Sequence, residues 1–163
     1  MGIRNCAEIG ENLQKIIKRL MANDELVKLL YYSDKDPLSN VALTEEQKQK
    51  EVFEKLIKVV PRVGPKETAQ SILVVTVLKG NSNSENSEFR NVQIRVEVFV
   101  PLTQWLIKDS NLRPFAILGE VQKSLNDKTI NGLGKMRGGD FEVNFFSEEI
   151  SCYTQYFYIT TYE

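Results

Sequence analysis

The sequence predicts an α+β domain: helices first, then two strands, one helix and three further strands, closing on a mainly antiparallel sheet with the amphipathic helix packed on one face. Three observations carry this. Apolar residues recur at helical spacing through the first third of the chain. The period switches to two after residue 71. A proline-initiated helical pattern at residues 114–125 then separates two groups of strands. At 163 residues the chain is long enough for one real core. It reads as a single domain over 1–163, with a helical N-terminal region at 1–65 and a sheet-plus-helix core at 66–163.

Ile9, Leu13, Ile16, Ile17 and Leu20 fall on one helical face, with lysines and glutamates between them. Asn23 suits the N-cap of a second helix, with Asp24 and Glu25 well placed for its dipole and Leu26, Leu29 and Leu30 on its apolar side. Pro37 ends that segment, because a residue before proline avoids helical geometry. Thr44 and Gln47 have capping-box spacing, which predicts a third helix carrying Val52, Phe53, Leu56 and Ile57 on one face until Pro61, Gly64 and Pro65 stop it.

Residues 71–78 are rich in β-branched side chains and read as a buried strand. Residues 80–87 form a polar, low-complexity stretch, read as a long hairpin loop. Val92, Ile94, Val96, Val98 and Val100 then alternate with Gln93, Arg95, Glu97 and Phe99, a strand that Pro101 ends. Pro114 fits the first turn of a helix bearing Phe115, Ile117, Leu118, Val121 and Leu125. Asn131 to Gly134 leads into a short strand, Arg137-Gly138-Gly139-Asp140 reads as a tight hairpin turn, and Phe141, Val143 and Phe145 alternate beyond it. Cys152 to Tyr162 is the last strand, with Tyr153 on one side and Tyr156, Tyr158 and Tyr162 on the other. An exposed edge strand of that composition is an association hazard, so a partner covering one side is expected.

Composition limits the chemistry. Hydrophobic residues make up 42% and charged residues 26%, with 21 basic against 22 acidic side chains and no histidine. Ser-His-Asp and Cys-His machinery are therefore excluded, as are the usual histidine-containing zinc sites. Cys6 and Cys152 cannot make a disulfide framework. No apolar run approaches the roughly 20 residues of a membrane span, and a soluble intracellular product without a membrane partner is expected. Asp34 and Asp36 fit a turn. Glu88 and Glu97 lack the lysine-bearing pattern of a metal-dependent nuclease. The glycines at 132–139 lead into a strand, whereas a phosphate loop opens a helix. The reading therefore assigns no catalytic residue, no metal and no cofactor.

The net charge of -1 conceals a polarity. Residues 112–139 carry a net +3, and residues 140–163 a net -5 with no basic side chain. Such segments pair within one sheet or between neighbouring copies. Neither half of the chain has the basic excess of a phosphate-backbone binder.

The element order, with Val96-Glu97-Val98-Phe99-Val100-Pro101 closing the hairpin, the helix Arg113-Pro114-Phe115-Ala116-Ile117-Leu118-Gly119-Glu120-Val121-Gln122-Lys123-Ser124-Leu125, a glycine-flanked strand and an aromatic terminal strand, resembles the small neck proteins of tailed bacteriophages, especially tail-terminator (tail-completion) proteins. The resemblance spans roughly residues 71–162. It implies a structural virion subunit that forms a ring, often a hexamer, at the head–tail junction. Its neighbours would be a neck or connector protein and a tail-tube or sheath protein, with DNA passing unread, and it would be found in the virion after assembly in the host cytoplasm. In a ring, the 80–87 loop would project into the lumen or toward an adjacent ring. On this reading the expected interface residues are Arg113, Lys135, Arg137, Glu148, Glu149, Tyr153, Tyr156 and Tyr158, with Trp105 as an aromatic anchor. The alternatives are a cellular α+β binding or adaptor module and, more remotely, a carboxylate-dependent nuclease.

Overall fold

A computed structural model describes residues 6–59, 69–82, 89–130 and 133–160. Helix α1 spans Cys6–Met21 and α2 spans Asp24–Tyr31. Ile16, Ile17 and Leu20 bury the predicted face of α1, while Ile9 and Leu13 pack partly buried beside them. The Asn23 side chain accepts from the Leu26 N–H at 3.0 Å and caps α2 as expected. Its amide also donates to Glu120 Oε2 and Ser124 Oγ, each at 3.0 Å, so the residue that starts α2 ties it to α4 (Arg113–Leu125). Among the described residues no helix is long and apolar enough to cross a membrane.

The capping box forms. Thr44 Oγ1 accepts from the Gln47 N–H, and Gln47 Oε1 accepts from the Thr44 N–H at 2.9 Å. The helix it starts is shorter than predicted. α3 is one turn, Glu45–Gln47, and runs into a wide turn at Lys48–Val52 closed by Phe53 N–H to Lys48 C=O at 3.0 Å. Glu54 then adopts a positive φ of 59° and the chain reverses. Ile57–Lys58 become strand β1, paired in parallel with β2 (Ile72–Ser82). Leu56 and Ile57 are buried by joining the sheet, and the Leu56 carbonyl accepts from the Leu73 N–H at 2.7 Å. The first 65 residues thus supply a strand as well as helices. Lys48, itself buried, fastens this turn to α2 through Asp24 at 2.7 Å and Glu45 at 3.0 Å. Burial alone would lower its pKa, but these two carboxylates carry it above the usual lysine range.

The main sheet runs β1-β2-β3-β8-β7-β6, where β3 is Phe89–Pro101, β6 Thr129–Ile130, β7 Gly134–Phe145 and β8 Ile150–Thr160. Every neighbouring pair except β1–β2 is antiparallel. A separate two-residue ladder joins β4 (Leu106–Ile107) to β5 (Asn111–Leu112). The alternation read at 92–100 is borne out. Val92, Ile94, Val96, Val98 and Val100 face α1, α2 and α4, together with Leu73, Val75, Met136, Phe157 and Ile159. On the opposite face Ile72, Val74, Phe99, Ile150 and Cys152 form a smaller cluster. Gly80 to Ser82 belong to β2, and the rest of the expected 80–87 loop lies outside the described residues, as does Tyr162.

Two expectations about the C-terminal strands are corrected. Arg137 to Asp140 is not a hairpin turn but part of the continuous strand β7, which carries an irregularity between Gly138 and Phe141. An unpaired pair of residues on one strand is a bulge, which small residues accommodate without reversing the chain. The last strand is no edge either: β8 pairs with β3 over Ile150–Thr160 and with β7 on its other side, so both of its edges are satisfied.

Arg113 requires a further correction. It is fully buried at the start of α4. Its guanidinium donates to the carbonyls of Gln104 (2.9 Å), Leu29 (2.6 Å), Tyr32 (2.7 Å) and Asp34 (2.5 Å). A side chain enclosed in this way holds the fold together and does not reach a partner. Burial lowers its pKa, with Asp34 acting in the opposite direction. Arg113→Ala strands four carbonyl acceptors, so it should cost about 3–5 kcal/mol in chemical denaturation. Arg113→Lys should recover little, because an ammonium lacks the planar fork. A loss below about 1 kcal/mol would show that the carbonyls find other donors.

Candidate interaction surface

The expected interface residues do not share one surface. Tyr153 and Trp105 are half-buried on the helix side of the sheet, their rings 6.0 Å apart. Tyr156 and Tyr158 lie on the opposite face, where Tyr156 donates to Glu142 Oε1 at 2.7 Å and Tyr158 accepts from Gln93 Nε2 at 3.2 Å. Lys135 pairs with Asp127 at 3.2 Å, and Arg137 is exposed opposite Tyr158. Glu148 and Glu149 are exposed in the turn joining β7 to β8. The basic segment is thus partly neutralised within itself, since Lys123 also pairs with Glu120 at 2.5 Å. Asp140, Glu142, Glu148 and Glu149 stay on the surface.

Phe115 joins the helix-side aromatics into a patch. Its ring is 4.9 Å from Tyr153 and 6.4 Å from Phe141. Phe115, Phe141 and Val143 are 40%, 57% and 49% exposed. Their periodicity reads as core, and only the position of Phe115 at the first turn of α4 hints otherwise. The patch lies beside an open strand edge. β6 pairs only with Gly134 and Lys135 of β7. Residues 126–128 continue that cover: Met136 exchanges backbone bonds with Asp127 and Lys128 (2.8 and 2.9 Å), and the Gly138 N–H reaches Asn126 Oδ1 at 2.7 Å. From Phe141 to Asn144 no strand among the described residues lies along the outer side of β7.

The bulge is built for its neighbours. Buried Gln155 bridges Gln122 at 2.9 Å and the Gly139 carbonyl at 2.7 Å. A Cβ on Gly139 would collide with the Tyr158 ring, so glycine is required unless that ring moves. On the same outer face Arg95 and Glu97 lie 3.4 Å apart. Burial raises the Glu97 pKa and Arg95 only partly opposes it. Burial, with Glu97 adding to it, pushes the Cys152 thiol up to about 12, which makes it a core residue and not a nucleophile. Thr76 Oγ1 and Arg95 Nε are buried with no hydrogen-bond partner among the described residues. No three metal-ligating side chains gather there either.

Two outcomes follow. Gly139→Ala should cost about 1 kcal/mol, because Tyr158 must swing away and lose Gln93. In a Tyr158→Ala background the cost should vanish, and persistence there would place the strain in the backbone. Glu97, with its folded pKa raised, carries a penalty that is absent at pH 4 and sets in as the pH rises through its folded pKa. Glu97→Gln should therefore be more stable relative to the parent at pH 7 than at pH 4, read as a larger unfolding free energy in denaturant titrations at the two pH values. The reverse trend would mean that Arg95 outweighs burial.

The family model YomW matches residues 23–159, most of the chain and nearly all of the described fold. No curated protein matches the sequence.

Proposed function

Because the chain belongs to the YomW family, which is phage-derived, we propose that it is a structural subunit of the virion, forming a ring at the head–tail junction as a tail terminator or related neck protein. The observation that carries this reading is the uncovered half of β7: an acidic strand edge from Asp140 to Asn144, rimmed by Phe115, Phe141 and Val143. An exposed edge beside aromatic side chains is a surface for adding another chain by strand pairing. The resemblance of residues 71–162 to tail-terminator proteins supports the same role. The partners are then further copies of the chain, a neck or connector protein on one side and a tail-tube or sheath protein on the other, with DNA passing through unread.

The test is genetic and visual. A phage carrying a nonsense mutation in this gene should give lysates in which electron microscopy finds filled heads and tails that remain unjoined, and complementation should restore whole particles. Intact infectious particles without the protein would overturn the proposal.

A further inference from the structure

The sheet has a second uncovered edge. β1 covers β2 only at Leu73 and Val74, and among the described residues no strand lies beside Thr76 to Asn81. Leu78 and Lys79 are exposed there, Leu78 being the extra residue of a bulge between Val77 and Lys79. The two edges are suited to each other in three ways. The first is direction. β2 opposes β3, β3 opposes β8 and β8 opposes β7, so β2 and β7 run in opposite senses. A neighbouring copy that continues the sheet therefore lays its β2 antiparallel to β7, without any crossover.

The second is charge. A β7 edge on another β7 edge sets Asp140 and Glu142 against their own copies, and a β2 edge on another β2 edge does the same for Lys79. Unlike edges bring Lys79 to the two carboxylates and Leu78 to the apolar Phe141 and Val143. Like charges thus oppose two-fold pairing, while opposite charges favour head-to-tail pairing. The third is stagger. Asn144 lies level with Ile72 across Cys152 and Phe99, and Gly138 lies level with Val77 across Phe157 and Ile94. The uncovered stretches therefore lie toward opposite ends of the sheet, and successive copies must be offset along the strands. Closed sheets absorb such an offset as strand tilt.

We infer that copies of this chain join head to tail, the β7 edge of one pairing antiparallel with the β2 edge of the next, so that one continuous sheet runs around the ring. This rests on the ring reading proposed above and specifies its interface. Heterologous contacts of this kind close into rings when the rotation per copy permits.

The test uses the full chain in a Cys6→Ser background, which leaves only buried Cys152. With Leu78→Cys and Phe141→Cys in one chain, a short bismaleimide should produce a ladder of covalent multimers, and neither single variant should cross-link. Cross-linking by Phe141→Cys alone would show two-fold β7 pairing and overturn the inference. Independently, Lys79→Glu should weaken self-association in sedimentation by roughly tenfold, and adding Asp140→Lys with Glu142→Lys should restore it. Rings that form normally with Lys79→Glu and give no ladder would overturn this interface while leaving the ring reading standing. A wild-type chain that stays monomeric both at high concentration and on purified tails would overturn the ring reading as well.

Discussion

A guanidinium without solvent must be surrounded by acceptors, and in this chain that requirement joins three pieces of backbone: the end of α2, the turn after β3 and the start of α4. Arg113 draws in the carbonyls of Leu29, Tyr32 and Asp34, at and just beyond the end of α2, and that of Gln104, in the turn after β3. The last carbonyls of a helix have no partner within it and carry partial negative charge. A buried cation at that position satisfies them and sets the starting point of α4. Phe115 follows two residues later, so the place where an aromatic ring emerges beside Tyr153 and Phe141 is fixed by a charge that never reaches the surface.

From that starting point the exposed edge has a structural cause. α4 covers the helix-side face of β3 and β8, and residues 126–130 return to cover the first half of β7. The cover ends where Asn126 accepts from Gly138, and the bulge that follows is held by Gln155 on one side and crowded by Tyr158 on the other. Beyond it, among the described residues, β7 continues with β8 on its inner side alone. Acidic residues line that stretch. Charge on an edge discourages indiscriminate pairing while leaving the backbone available to a complementary strand. The chain's polarity, +3 followed by -5, changes sign at this bulge.

Much of the fold is legible in the residues. The apolar spacing of α1, the Asn23 cap, the Thr44–Gln47 box, the alternation at 92–100 and the proline-initiated α4 depend on local chemistry, and they stand where they are read. What is not legible depends on distant partners. Val52, Phe53, Leu56 and Ile57 satisfy a helical period, but burial against Leu73 and Val74 turns the last of them into a strand. The glycine pair at 138–139 suits a turn or a bulge equally in isolation, and Gln155 and Tyr158 decide for the bulge. Arg113 reads as a surface charge because nothing local marks it for burial. The alternation that puts Tyr153 on one face and Tyr156 and Tyr158 on the other is legible in the residues, but the central position of β8, paired with β3 and β7, is not, because it depends on distant strands.

Hydrogen exchange along β7, in the isolated chain and in the chain incubated with phage tails, measures most directly whether the uncovered edge takes on a partner, as the proposed virion role requires. Amides from Phe141 to Asn144 that have no inner partner on β8 should exchange rapidly in the isolated chain. They should become strongly protected on assembly, while those at 134–138, already covered by residues 126–130, change little. Equal exchange at Phe141 to Asn144 before and after assembly would contradict the account.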